Sequence, residues 1–189
     1  MTGRRSVWAW GMESREPTRP QLAEAARRLS AQYGASLGPA SLPDASAISL
    51  RAPRTRIPDA FAAFCSAATY DRAFHACGHS FRDRVRKFNL EFPNPPDFVA
   101  FPRAEQEITA VLDWCSSKGY AAVPFGGGSS VAGGVEPPEG FDGAVTIDLT
   151  RLDRVLDVDS HSRAARIQAG ALGPRIEAQL KPHGLTLRH

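Results

Sequence analysis

Residues 120–134, YAAVPFGGGSSVAGG, decide how the rest of this chain is read. Residues 120–125 form an apolar run with a strand's length and composition. The run breaks into Gly126, Gly127 and Gly128, followed by Ser129, Ser130 and Val131, with Gly133 and Gly134 closing the segment. Successive glycines reach backbone angles closed to other residues, so consecutive N–H groups can turn towards one point. The product is a concave nest for an anion, and the two serine hydroxyls add donors without bulk. Phosphate or pyrophosphate is the ligand such a nest fits.

Two better-known phosphate loops do not match. A Walker loop needs a Lys before its final Ser or Thr, and none stands here. The Rossmann fingerprint places its third glycine where Val131 sits and then starts a helix. Here VEPPEGFDG follows Gly134, and Pro137 with Pro138 stops a helix from starting at once. Taken by themselves, the glycines also fit a hairpin loop that binds nothing.

Working outward, residues 97–101 (DFVAF) read as a strand after Pro95 and Pro96. Residues 103–118 read as an amphipathic helix with Ile108, Val111, Leu112 and Cys115 on its apolar face, ended by Gly119. Strand, helix, strand and glycine loop make a βαβ unit, which predicts parallel strands and a right-handed crossover. The loop then falls at the carboxyl end of the second strand, where open α/β sheets bind ligands. Downstream, residues 144–149 (AVTIDL) predict a buried strand. Val155, Leu156 and Val158 pair with residues 164–169 in a hairpin, around a polar turn whose tip, His161, is solvated. Residues 172–183 predict a last helix with Leu172, Ile176 and Leu180 at four-residue steps.

Upstream, Pro20 opens a helical pattern with Leu22, Ala25, Ala26, Leu29 and Tyr33 on one face, and Gly34 stops it. Residues 35–58 read as loop. A second helical pattern from Asp59 buries Phe61, Phe64, Cys65 and Ala68, and both helices read as a cap outside the sheet. Trp8 and Trp10 alternate with small residues in an extended tail that covers apolar surface. His75 and His79 have no recognisable Ser or Cys partner and read as structural.

PFGGGSS and its flanks resemble the first FAD-pyrophosphate loop of the vanillyl-alcohol-oxidase-type, or PCMH-type, flavoproteins. Within them, the chain from Val7 onward is most similar to the FAD-linked oxidase branch that holds alkyldihydroxyacetonephosphate synthases and D-lactate or glycolate dehydrogenases. The resemblance implies an α+β fold, with the first βαβ subdomain of a PCMH-type FAD-binding domain in residues 94–189. Residues 1–93 are then a helical and extended lead-in. It implies that Pro124, Phe125, Gly126, Gly127, Gly128, Ser129, Ser130 and Val131 bind FAD. Some relatives carry a flavin-linking histidine in this loop; Ser129 and Ser130 stand there instead, which implies non-covalent FAD. The residues acting on substrate in such enzymes lie in segments beyond this sequence, so no catalytic residue is assigned. The expected function is the N-terminal FAD-binding portion of a FAD-dependent oxidoreductase or synthase, with a small-molecule substrate in the full-length protein. A small phosphate- or nucleotide-binding module without catalysis is the alternative.

Composition agrees with these expectations. The 189 residues are 42% hydrophobic and 23% charged, ordinary for a globular protein. No apolar run approaches the ~20 residues of a membrane helix, and the N-terminus lacks a signal-peptide core, so the cytoplasm is expected. Cys65, Cys77 and Cys115 are too scattered for a disulfide framework or a metal pair. The net charge of +3 carries no dense basic cluster of the kind nucleic acid needs. A homodimer is left open.

Overall fold

The computed structural model of this chain describes residues 3–188. Met1, Thr2 and His189, at the ends of the two ranges above, lie outside the described residues. The helices are α1 (Arg19–Tyr33), α2 (Thr69–Phe74), α3 (Phe81–Phe88), α4 (Glu105–Lys118) and α5 (Gly173–Leu180). The strands are β1 (Cys65–Ser66), β2 (Phe98–Ala100), β3 (Ala121–Phe125), β4 (Ala144–Asp148), β5 (Val155–Asp159) and β6 (Ala164–Ile167). This is the mixed helix-and-sheet fold the sequence predicts.

The main sheet has the order β1-β2-β4-β3, with β2, β4 and β3 parallel and β1 antiparallel to β2. β2 and β3 are parallel as the βαβ pattern requires, but β4 lies between them, pairing Val99 and Val123 through Thr146. Composition explains the order. All five residues of β4 are buried, which suits a strand flanked on both edges. β3 carries Pro124, which has no N–H to give a second neighbour, and so occupies an edge.

α4 covers the sheet with Val111 and Cys115, and Gly119 ends it in the left-handed conformation at φ 65°. Leu112, expected inside, is exposed. Trp114 takes the inward position, its ring meeting Phe61, Phe98 and Tyr120 at centroid distances of 6.0, 5.7 and 5.3 Å. The larger aromatic buries more apolar surface than the leucine would, so the helix rolls to its side.

The helix expected from Asp59 does not form as one piece. A short 3-10 turn (Asp59–Phe61) leads into β1, and α2 begins only at Thr69. Phe61 and Phe64 drop into the sheet's core, and the Phe101 N–H donates to the Phe64 carbonyl at 2.7 Å. That pull lays residues 65–66 along β2 instead of continuing a helix, so this segment is part of the sheet and not a cap outside it. α1 follows its capping signals, with the Thr18 N–H donating to Gln21 Oε1 at 2.8 Å. Yet it buries only Ala26, and Leu29 and Tyr33 stay exposed.

A second apolar cluster joins Val7, Trp8, Ile48, Phe74 and Phe92 to Phe125 at the end of β3. The N-terminal tail therefore covers apolar surface as its tryptophans predict, though unequally. Trp8 is buried edge-on to Phe88, while Trp10 is 64% exposed and lies on His79 at 4.7 Å. β5 and β6 form the expected hairpin as a separate two-stranded sheet. α5 is fixed to it by Gln179, which accepts from the Val155 N–H and donates to the Asp153 carbonyl, both at 2.9 Å.

Candidate functional site

The loop after β3 leaves the carboxyl end of the parallel sheet and runs to β4 without a helix, as its prolines dictate. Its glycines differ in kind. Gly128 has φ +68°, and a Cβ there would sit 2.4 Å from Cζ of Phe125. Both the backbone angle and the ring beneath it require glycine. Gly126 would meet nothing within 4 Å, and Gly127 would meet only Leu172 Cδ2 at 3.8 Å and Ser129 Oγ at 4.0 Å. Neither has a positive φ, so nothing in the chain's own packing demands glycine at these two places. Among the described residues, no protein acceptor takes the backbone N–H groups of residues 126–131. The geometry is a cradle that a side chain would fill, edged with open donors, and it fits the diphosphate of a nucleotide cofactor.

The other expected binding residues take distinct positions. Pro124 is exposed on the edge strand, Ser129 is exposed, and Val131 is 71% exposed. Phe125 is buried, supporting the loop from below against His75 (4.3 Å) and Phe74 (5.8 Å). The Ser130 hydroxyl accepts from the Gly134 N–H at 3.2 Å, which leaves its own proton to donate.

Residues up to position 94 hold the loop along its length. Arg5 donates to the Gly127 carbonyl at 2.7 Å, and the His79 N–H donates to the Ser130 carbonyl at 2.7 Å. Arg86 grips Glu136 at 2.6 Å, Asn94 donates to the Pro137 carbonyl at 2.7 Å, and Arg54 donates to the Phe141 carbonyl at 2.6 Å. Gly78 makes the close approach at His79 feasible, since a Cβ on it would lie 2.1 Å from the Ser130 oxygen. α3 starts beside this contact with a reciprocal cap between Ser80 and Asp83 at 3.1 Å each way. Sequence reading left both histidines aside; only the glycine before His79 hinted at a backbone approach there.

His75 lies under the loop with Nδ1 on the Asp71 carbonyl (2.7 Å) and Nε2 on Asp148 Oδ2 (2.8 Å). Beside it a cavity of about 420 Å³ opens, lined by Arg4, Arg5, Tyr70, Phe101 and Asp148 among others. Burial and the nearby Lys87, Arg84 and Arg5 charges push His79 down to about 4, so its ring is neutral and Nδ1 can accept from Arg84. Burial raises the thiols of Cys65, Cys77 and Cys115 to about 12, 11 and 11, far from nucleophilic. Among the described residues, no His, Cys, Asp and Glu group could hold a metal, and no helix is long and apolar enough to cross a membrane.

Residues 96–189 match the family described as the FAD binding domain. The chain carries a domain of this FAD-binding family. The alkyldihydroxyacetonephosphate synthases of Dictyostelium discoideum and Trypanosoma brucei brucei are 34% and 36% identical to it, over 62% and 64% of this chain and 19% and 20% of theirs. D-lactate dehydrogenase [cytochrome] 1, mitochondrial, of Saccharomyces cerevisiae is 30% identical over 52% of this chain and 17% of its own length. The chain thus spans about a fifth of the length of these curated relatives. A solved structure of an alkyldihydroxyacetonephosphate synthase superposes with a TM-score of 0.73 at 29% identity, covering 78% of this chain and 30% of that one. That coverage exceeds the FAD-binding segment, so part of the lead-in shares the synthase architecture.

Proposed function

We propose that residues 124–131 hold the diphosphate of a non-covalently bound FAD. The reading rests on Gly126 and Gly127, which the chain's own backbone and packing leave free to carry a side chain, in a loop whose N–H groups lack protein acceptors. A ligand lying against the backbone accounts for both features. The open N–H groups bind the diphosphate oxygens, Ser129 and Ser130 add neutral donors worth ~1 kcal/mol each, and Arg5 fixes the loop's shape through the Gly127 carbonyl. No histidine stands within residues 126–134, so the protein offers no imidazole there for a flavin link. Bound flavin supplies the redox chemistry, while the protein supplies position and electrostatics.

The enzyme in which this domain acts is read as resembling an alkyldihydroxyacetonephosphate synthase more than a D-lactate dehydrogenase. The synthase likeness covers 62% of this chain in sequence and 78% in the solved structure, whereas the dehydrogenase likeness covers 52%. The site is tested by titrating FAD into the protein and following flavin fluorescence. Quenching that is lost in Gly127→Val, with the flavin released on acid precipitation, is the expected result. Retained binding in that variant puts the diphosphate elsewhere, and flavin remaining on the precipitate refutes non-covalent attachment.

A further inference from the structure

Lys87, on α3 near this loop, is a buried cation that the described residues leave without an ion pair. It is 1% exposed, in the second turn of α3, on the face it shares with Asp83 one turn earlier. That face is the one turned to the contact between Gly78 and the Ser130 carbonyl, since Asp83 Oδ2 would lie 3.4 Å from a Cβ on Gly78. The ammonium has no hydrogen-bond or ion-pair partner among the described residues, and it lies 5.7 Å from the centre of the Phe74 ring. Asp83 is committed to Ser80, lies 3.6 Å from Arg86 and makes no ion pair with Lys87. Arg5 stands over the same Phe74 ring at 4.7 Å while it holds Gly127.

Buried cations are ordinarily paired, because taking an ammonium out of water costs several kcal/mol. Burial also holds the Lys87 amine below its usual value, against the opposing pull of Cys77 and Asp83. Arg5 and Lys87 repel each other across this ring, and an anion bound near both offsets that repulsion.

We propose that Lys87, with Arg5, is the charge partner of the anionic group taken by the glycine loop. The inference rests on the reading of that loop as a diphosphate site and adds to it a cation from outside the FAD-binding segment. Lys87 gives charge where the backbone gives shape, and a bound phosphate ligand pairs a cation that has no ion-pair partner among the described residues of the free protein.

The test is Lys87→Met, which keeps the length and apolar stem and removes the charge. Calorimetric titrations with inorganic pyrophosphate and with FAD, at millimolar concentration for the former, are run on unmodified protein and variant. Expected is a weakening on the order of tenfold in K87M, the scale of one charge-assisted hydrogen bond. The free variant is expected to melt at the same temperature as the parent or higher, because an unpaired buried charge has gone. Equal affinity in K87M and parent overturns the role of Lys87 and leaves the loop assignment standing. Parent protein that takes up neither ligand overturns both. As a measurement needing no variant, the Nζ resonance of Lys87 is followed during pyrophosphate addition to the unmodified protein. A saturating shift supports the pairing, and an unmoved resonance sinks it.

Discussion

Alanine at Gly128 and at Gly127 separates what folding asks of this loop from what its ligand asks. At Gly128 the methyl group meets two costs. Holding φ near +68° with a Cβ costs about 1–2 kcal/mol. Placing that Cβ 2.4 Å from the Phe125 ring adds an overpacking penalty of about 1–3 kcal/mol. Phe125 cannot step aside cheaply, since it is buried against His75 and Phe74. The total, roughly 2–5 kcal/mol, corresponds to a fall in melting temperature of about 4–20 °C in a protein of this size. At Gly127 the nearest atom is 3.8 Å away and φ is not left-handed, so alanine is expected to be neutral or slightly stabilising, by up to about 1 kcal/mol. Urea unfolding of both variants measures the difference. Adding Phe125→Leu to Gly128→Ala closes a cycle in which the double variant should lose less than the sum of the singles, by about 1–2 kcal/mol. Equal stability of the two alanine variants, or strict additivity in the cycle, refutes the argument that Phe125 is what fixes Gly128.

Three further outcomes are expected. His79 titrates at about 4 in the fold against 6.5 free, so the unfolded chain takes the proton first and stability falls as pH drops from about 6.5 to 4. Discounted for its partial exposure, the loss is on the order of 1–2 kcal/mol, and its absence in a His79→Gln background checks the assignment by denaturation at each pH. Asp97 is wholly buried and accepts from Arg51, Arg54 and the Ala144 N–H. Burial would raise its pKa, but these bonds hold it at about 2, so its stabilisation is complete above 3.8 and fades as pH falls from there towards 2. Asp97→Ala should cost about 3–5 kcal/mol at neutral pH by stranding its arginines, and a midpoint unchanged in urea would contradict that. Finally, the 189-residue chain mixed with FAD should turn over neither 2-hydroxy acids with a dye acceptor nor acyl-dihydroxyacetone phosphate with a fatty alcohol; measurable steady-state turnover of either refutes this.

The legible parts of the fold were those where one local signal decides. Gly119 closing α4, the apolar run of β4 and the break after Phe125 are each set by a few neighbouring residues. The strand order was not legible, because β4's place between β2 and β3 follows from comparing burial across segments far apart in sequence. The region after Asp59 misled for a related reason. Phe61, Phe64 and Cys65 have helical spacing, yet the unpaired edge of β2 offers backbone partners that a helix would forgo. Tertiary pairing overrode local periodicity. Among the site residues, the glycines could be found by their type, but their different reasons for being glycine could not. The left-handed φ of Gly128 and the Phe125 ring beneath it separate it from Gly126 and Gly127.

The lead-in changes how the loop itself should be understood. Residues 126–143 are rich in glycine, so ordering them costs more conformational entropy than ordering most segments of that length. Their own hydrogen bonds are few, chiefly Gly134 to Ser130 and Glu136 to Gly133. Most of the fixing contacts come from Arg5, Arg54, His79, Arg86 and Asn94, spread over residues that a sequence scan assigns to other jobs. Each takes a loop carbonyl or carboxylate and leaves the N–H groups of residues 126–131 uncommitted. A loop held by its acceptors keeps its donors uncommitted, which is the pre-organisation the proposed diphosphate site calls for.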